Sequence, residues 1–190
     1  DSSFFDLYRI YLDDRPRELI LQNPGNMSSW IVSNDGQVRL AVANDSVQQS
    51  VVYRTSDKDP FKEIIRCDVE SSFTPLGFKD SSRTIIYALS NVDRDKLALV
   101  SYDLANNKEL GEIFSHKEVD VSPGGYFSEQ NKLLFINYTT SRQNRFFFDK
   151  SIKKKYDQLS KQIDGFEFQI LNTDITGERV IIKTYTDINP

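Results

Sequence analysis

An internal repeat is the feature of this sequence that most constrains its fold. Four times, an extended apolar run is followed by a tight polar turn and then by a second run rich in β-branched and aromatic residues. The turns centre on Gly36, Ser82, Asn131 and Gly177, which lie 46, 49 and 46 residues apart. A near-constant period of this size with only strand-like content is typical of four-stranded propeller blades. The four predicted inner hairpins cover residues 28–42, 74–90, 122–138 and 166–185.

A second set of segments between these hairpins also repeats. Each begins with an alternating strand, as at Tyr8, Ile10 and Leu12, and alternation at period two places one face toward the core and the other toward solvent or a neighbour. Polar turns follow at 13–16, 56–60 and 105–108, and a further strand comes after each turn. We interpret these segments as the outer hairpins of the same blades: 4–23, 49–68, 96–116 and 145–163.

The fourth outer segment departs from the pattern. Ile152, Tyr156, Leu159 and Ile163 are spaced at i, i+4, i+7 and i+11, which is one face of a helix. The sequence therefore predicts one short helix near 150–163 in place of the outermost strand, with the lysines at 153–155 on its solvated face. A helix that covers a sheet edge is an ordinary protection against strand addition.

The order of the hairpins bears on the ends of the chain. The chain starts with an outer hairpin and finishes with an inner one, so the first and last blades are each half a blade. Either the halves pair and close a small four-bladed ring, or the chain is an arc of a larger ring. Because residues 186–190 form a turn where another outer strand would begin, we favour the arc. The predicted fold is all-β: a single partial β-propeller domain over 1–190, with about four four-stranded antiparallel blades.

Composition narrows the class of protein. With 190 residues and 38% hydrophobic residues, the chain can bury a core, and no apolar run is long enough for a membrane span. The net charge of −4 and the scattered basic residues argue against nucleic acid as a partner. We expect a soluble protein with no membrane partner. Because the chain opens at Asp1 rather than Met, we expect a processed or excised chain, and the compartment stays open between cytoplasm and periplasm.

The sequence contains no known catalytic motif. His116 is the only histidine, no Gly-x-Ser-x-Gly is present, and nothing in the sequence resembles a set of metal ligands or a phosphate-binding loop. We expect His116 to cap a strand end near Glu118, Cys67 to be a buried packing residue, and the segment Asn34–Gly36 to be a hairpin turn. The sequence therefore predicts no catalytic residue, no cofactor and no metal.

Aromatic residues near the starts of the inner strands form another candidate site. They could line a central channel, but packing between blades is the favoured interpretation because these strands must fill the core. We expect Gly124 and Gly125 to allow tight packing, and the charged loop 93–96 to be solvated. The aromatic candidates are Trp30, Phe73, Phe78, Tyr126 and Phe127.

Short motifs along most of the chain resemble a known family. They include Gln22-Asn23-Pro24-Gly25-Asn26, the pair Ser29-Trp30, the run 35–42, and the segments 72–78, 87–91, 94–96, 99–104 and 116–121. In these motifs the chain resembles the non-catalytic propeller of prolyl-oligopeptidase-type serine peptidases, in the dipeptidyl and acylaminoacyl peptidase branch. The motifs are structural signatures of blades, and no catalytic residue of the family can be carried over.

The resemblance implies a function. In that family the propeller caps a C-terminal α/β-hydrolase domain and restricts entry to short peptides, so the expected partners are that domain and peptides. Self-association through exposed end blades is a further expectation, because unpaired strand edges accept other strands. Two alternatives stay open. One is a free-standing β-repeat scaffold that docks proteins without enzymatic activity, and the other is a small closed ring that binds a ligand as a lectin does.

Overall fold

A computed structural model describes residues 5–45, 47–163, 166–173 and 179–186. These residues form strands almost throughout, with one α-helix and one short 3₁₀ turn at Ser128–Gln130. The helix α1 is Lys150–Gln162. The strands are β1 Leu7–Arg9, β2 Glu18–Leu21, β3 Met27–Val32, β4 Val38–Asp45, β5 Gln48–Tyr53, β6 Lys62–Cys67, β7 Phe73–Phe78, β8 Ile85–Ser90, β9 Ala98–Asp103, β10 Lys108–Phe114, β11 Val121–Phe127, β12 Lys132–Thr139, β13 Gln143–Phe147, β14 Glu167–Thr173 and β15 Val180–Tyr185.

The strands form five sheets in chain order. The first sheet is β1–β2, the second is β3–β6, the third is β7–β10, the fourth is β11–β13 and the fifth is β14–β15. Each strand of the second and third sheets pairs antiparallel with the next strand along the chain. The predicted all-β class, with four-stranded antiparallel sheets and one short helix, is confirmed at this level. The fourth sheet has three strands, and the helix follows where its outermost strand would come.

Turn residues at the hairpins explain why the chain reverses where it does. Gly36 has φ +78°, and its amide donates to the Ser33 carbonyl at 2.8 Å, closing the turn before β4. Asn131 has φ 50° between β11 and β12, and asparagine is among the residues that tolerate the left-handed region. The predicted hairpin turns at these two positions are confirmed. The turn predicted at Gly177 lies outside the described residues, and so does the turn predicted at 186–190 except for Thr186.

The chain divides into two compact units: the first ends at Phe146 and the second begins at Phe147. The core of the first unit lies between the second and third sheets. Leu40 and Val51 from the second sheet join Phe73, Ile86 and Val100 from the third in one buried cluster, each at most 1% exposed. Consecutive sheets thus bury apolar faces against one another.

The third and fourth sheets meet through a glycine. A Cβ at Gly77 in β7 would overlap the ring of Tyr126 in β11, so this contact requires a residue without a side chain. The Tyr126 hydroxyl donates to the Phe78 carbonyl at 2.8 Å. Burial raises the pKa of Tyr126 to about 12. A half-buried tyrosine thus links one inner strand to the next.

The turn at Asp35 connects three sheets. Arg9 of the first sheet donates to the Gly36 carbonyl at 3.2 Å, and Arg83, from the turn before β8, lies 3.3 Å from the Asp35 carboxylate. Within the second sheet, Arg39 is 6% exposed and its guanidinium lies 2.7 Å from the same carboxylate. The Arg39 hydrogen bond holds the pKa of Asp35 well below its ordinary value.

The first sheet is smaller than its sequence suggests. β1 ends at Arg9, so Ile10 and Leu12 lie beyond the strand and are 73% and 106% exposed. The alternating pattern over Tyr8, Ile10 and Leu12 predicted a longer strand, and that prediction is wrong after Arg9. Among the described residues β1 has only β2 as a paired neighbour, so no second strand extends the ladder.

The second unit contains α1 and the fifth sheet. Asp149 caps the helix, because its carboxylate accepts from the Ser151 amide at 2.7 Å and from the Ile152 amide at 3.0 Å. Tyr156 is buried, and its ring centroid lies 5.5 Å from that of Phe168 in β14. The predicted helix and its exposed lysines at 153–155 are confirmed. The assignment of 1–190 to a single domain stays a prediction.

Candidate functional site

A cleft of about 570 Å³ lies between the second and third sheets of the first unit. One wall is the turn from β5 to β6 with the start of β6, and the other is the turn from β9 to β10. A volume of this size is in the range of small-molecule pockets. The cleft is therefore the candidate functional site.

The base of the cleft is apolar and belongs to the core. Tyr53, Ile64 and Leu104 are each at most 8% exposed and belong to the core between the two sheets. The Tyr53 hydroxyl donates to the Arg83 carbonyl at 3.1 Å, and burial raises the pKa of this tyrosine. The base can accept an aliphatic group, and its one hydroxyl is already engaged.

A bulge in β6 shapes the second-sheet wall. Val51 pairs with Ile65 and Val52 pairs with Glu63, which leaves Ile64 as the extra residue. Consecutive residues Lys62, Glu63 and Ile64 all line the cleft, where a regular strand would turn alternate side chains away. Bulges commonly redirect side chains in this way beside functional sites.

Arg54 holds the turn in place. Its guanidinium donates to the Val38 carbonyl at 2.7 Å, to the Asp57 carbonyl at 3.1 Å and to the Asp57 carboxylate at 2.8 Å. The same group lies over the Phe61 ring, 4.6 Å from its centroid. Arg54 is 8% exposed, so it acts as a structural residue at the back of the cleft.

The rim of the cleft carries groups with spare hydrogen-bonding capacity. Asp59 Oδ2 accepts hydrogen bonds from the Thr55 hydroxyl at 2.5 Å and from the Ser56 hydroxyl at 2.9 Å. These two hydrogen bonds are the main reason that the pKa of Asp59 is lowered. Lys62 lies in the same wall. On the opposite wall, Asn107 Oδ1 accepts from the Tyr102 hydroxyl at 2.7 Å, which leaves the amide NH₂ as a donor.

A smaller cavity of about 330 Å³ is lined by the loop residues Val92, Asp93 and Arg94 together with residues of the second and third sheets. Arg94 and Glu109 line it and are joined by an ion pair of 2.5 Å. Their side chains are only 25% and 28% exposed, so Arg94 ties its loop to β10. The prediction that loop 93–96 is solvated holds for Asp95, whose side chain is 87% exposed, and is wrong for Arg94.

His116 and Cys67 have structural surroundings. His116 Nδ1 accepts from the Glu118 amide at 3.2 Å, as predicted, and its ring stacks on Tyr138 with centroids 4.9 Å apart. Cys67 is 1% exposed and belongs to the core, and burial raises the pKa of its thiol. The packing role predicted for Cys67 is confirmed.

The predicted aromatic residues do not form one site. Phe73 and Phe78 are at most 2% exposed within the core, which confirms the packing interpretation for both. Trp30 packs near Phe61, with centroids 6.4 Å apart, while Phe127 is 41% exposed. Tyr126 instead contacts Gly77 and the Phe78 carbonyl, as described above.

Gly124 and Gly125 lie where two strands pack closely, as the sequence predicted. A Cβ at Gly124 would overlap the Phe135 backbone of β12, and one at Gly125 would lie 2.6 Å from the Phe135 ring. Both glycines therefore allow β11 to approach β12 closely, which confirms the tight packing predicted for them.

In the part of the chain that the structure describes, no group of three or more histidine, cysteine, aspartate or glutamate side chains could hold a metal ion. No helix among the described residues is long and apolar enough to cross a membrane.

The cleft itself was not predicted from the sequence. Its rim residues Asp59 and Asn107 fall in two outer turns that were predicted correctly as turns. The repeat could have indicated that these turns meet, because equivalent turns of consecutive sheets lie at the same end. A bulge at Ile64 and the width of the gap depend on packing and carry no sequence signal.

Comparison of the chain with family models, with curated proteins and with solved structures finds no match. The resemblance to peptidase propellers therefore rests on the quoted motifs alone.

Proposed function

We propose that the chain is a non-catalytic segment of the β-propeller of a prolyl-oligopeptidase-type serine peptidase. In this role it filters peptides on their way to a hydrolase domain outside residues 1–190. The molecule contributes shape to the reaction, and the chemistry belongs to the other domain.

One observation supports the proposal most directly. In the second and third sheets, an inner hairpin and the outer hairpin that follows it form one four-stranded antiparallel sheet, and each sheet packs on the next sheet of the chain. The second and third sheets share a core, and Tyr126 of the fourth sheet packs over Gly77 of the third. Radial repetition of such sheets is the principle of a propeller. The blade count and the closure of the ring are part of the proposal.

The positions of the motifs give further support. Residues 35–42 form the turn and most of β4, and residues 72–78 include all of β7. Both stretches lie on the inner strands, where a propeller would line its channel. In that arrangement the inner strands limit the size of a peptide that passes.

The test is to express the coding sequence through its stop codon and to assay the product beside the 190-residue chain on aminoacyl and dipeptidyl chromogenic substrates. We expect activity in the longer protein only, with a Gly-x-Ser-x-Gly motif beyond Pro190. Hydrolysis by the 190-residue chain, or a longer protein with further sheets and no hydrolase domain, would refute the proposal.

A second candidate function is a free-standing interaction module. Exposed apolar side chains in and directly after the first sheet's strands favour it, since Leu19 of β2 is 49% exposed and Ile10 and Leu12, which follow β1, are 73% and 106% exposed. Contiguous exposed apolar groups often mark protein contacts. This function would be supported if the coding sequence ends without a hydrolase domain and the protein retains a binding partner through these residues.

A further inference from the structure

We infer that the cleft between the second and third sheets binds a short peptide whose two termini are both free and charged. The site is separate from the passage proposed above, because it lies at the turns of the outer hairpins. The inference holds or fails without reference to a hydrolase domain.

The apolar base of the cleft favours a ligand with an aliphatic side chain. Ile64 and Leu104 are buried in the base, and no side chain there offers an unused polar group, since the Tyr53 hydroxyl is bonded to the Arg83 carbonyl. Burial of apolar surface against such a base is favourable. The cleft of about 570 Å³ accommodates two or three residues with an aliphatic side chain.

Two of the charged groups in the lining are already neutralised. Arg54 is paired with Asp57 at 2.8 Å. Glu63 is paired with Arg66 at 2.6 Å and also accepts from the Ser50 hydroxyl at 2.9 Å. These pairs shape the cleft and leave no net charge for a ligand.

One cation and one anion remain available. The Lys62 ammonium makes no hydrogen bond or ion pair with any residue that the structure describes, although the backbone of Lys62 pairs with Tyr53 in the sheet. Asp59 uses one oxygen for two hydroxyl donors, and an ionised carboxylate can accept about four hydrogen bonds, so it retains capacity for a further donor. The Thr55 and Ser56 hydroxyls lower the pKa of Asp59 most, and the positive charge of Lys62 lowers it further because the two charges are close.

A third polar group, Asn107, lines the cleft from a turn of the other sheet. The Tyr102 hydroxyl fixes the amide of Asn107 by donating to its Oδ1, so the amide NH₂ is the free end. Asn107 also has a left-handed backbone, φ 51°, which holds it at the tip of its turn. This donor is therefore oriented before any ligand arrives.

The complementary ligand is a zwitterion with an aliphatic side chain. Its ammonium group pairs with Asp59, its carboxylate pairs with Lys62 and the Asn107 amide, and its aliphatic side chain covers the base. A ligand with a single charge would leave either Lys62 or Asp59 without a partner. An unblocked short peptide has both charges and an aliphatic side chain on one molecule.

The test is a titration of the ¹⁵N-labelled 190-residue chain with the dipeptide Ala-Leu, with N-acetyl-Ala-Leu and with Ala-Leu amide, followed by amide chemical shifts. We expect saturable shifts in Arg54–Glu63 and Leu104–Asn107 with the unblocked dipeptide. Blocking either terminus should weaken binding about tenfold or more, because each block removes one charge-assisted contact.

Matched variants locate the effect. Lys62→Met should weaken binding of Ala-Leu and of N-acetyl-Ala-Leu, and Asp59→Asn should weaken binding of Ala-Leu and of Ala-Leu amide. Lys117→Met, at an exposed lysine outside the cleft, should change nothing. Unchanged spectra elsewhere in each variant show that the fold is intact. Absence of saturable shifts, equal binding of all three ligands, or shifts confined to other sheets would overturn the inference.

Discussion

The outer hairpins of the first and second sheets follow the same sequence pattern but differ in burial. In the second sheet, Val51 and Val52 of β5 are 1% and 9% exposed. In the first sheet, Tyr8 of β1 and Leu19 of β2 are 40% and 49% exposed. β5 pairs with the inner strand β4, whereas β1 has only β2 beside it among the described residues.

The difference separates what a hairpin encodes locally from what its neighbours supply. Turn residues and alternation are enough to specify an antiparallel pair in both places. Burial requires a second hairpin in the same sheet and another sheet against its face. The first sheet has neither in full, and it relies on surface contacts such as the Arg9–Glu18 ion pair at 3.3 Å. Two-stranded hairpins are marginal on their own for this reason.

The sharpest test of this contrast compares two leucines. Leu40→Ala should lower the free energy of unfolding by about 2–5 kcal/mol, because Leu40 is 0% exposed and its loss leaves a cavity. Leu19→Ala, the matched control at a half-exposed site, should cost less than about 1 kcal/mol. Urea unfolding followed by circular dichroism measures both. Equal losses would show that the first sheet is as well packed as the second.

A second test addresses the junction between the third and fourth sheets. Gly77→Ala should cost about 1–3 kcal/mol, because the new Cβ overlaps the Tyr126 ring. The double variant Gly77→Ala with Tyr126→Ala should lose less than the sum of the two single variants, since the clash is gone. Unfolding midpoints of the four proteins give the coupling. Strict additivity would mean that the two residues do not touch.

A third test uses the carboxylate that connects the sheets. Asp35→Asn should cost about 1–2 kcal/mol at pH 7, because the buried Arg39 loses its charged partner. The folded-state pKa of Asp35 is lowered, so its stabilisation is present above the unfolded pKa of about 4 and is lost as pH falls through the folded value.

The stability gap between wild type and Asp35→Asn should therefore stay constant from about pH 5 to 8 and narrow below about pH 4. Urea unfolding of both proteins across this range measures it. A gap that widens in acid would be incompatible with a carboxylate stabilised by Arg39.

The smallest effect is expected where the first sheet meets the second. Arg9→Met removes the hydrogen bond to the Gly36 carbonyl and the ion pair with Glu18, and should cost only about 0.5 kcal/mol. Amide exchange in β1 and β2 should accelerate while exchange in β4 stays unchanged. Faster exchange in β4 as well would indicate that the two sheets open together.

Much of the fold could be predicted from the sequence because its signals are local. The Gly36 turn, the alternating runs of the hairpins and the helical spacing of Ile152, Tyr156 and Leu159 each depend on a few neighbouring residues. The break at Lys150 was visible for the same reason: a helical period replaces a strand period there.

What could not be predicted depends on contacts between distant residues. The alternation through Ile10 and Leu12 predicted a strand, but a strand also needs a partner for its ladder, which composition does not reveal. The cleft at Asp59 and Asn107 depends on a gap between two sheets and on a bulge at Ile64. Arg94, in a loop of alternating charges, gave no sign that it would pair with Glu109.

In the first unit, consecutive antiparallel sheets pack on one another in chain order. Nuclear Overhauser spectroscopy of the labelled chain tests this most directly, through the ring protons of Tyr126. We predict cross-peaks from that ring to the α-protons of Gly77. A spectrum in which Tyr126 contacts only its own sheet, or in which sequential amide contacts indicate helix across β7–β12, would contradict the claim.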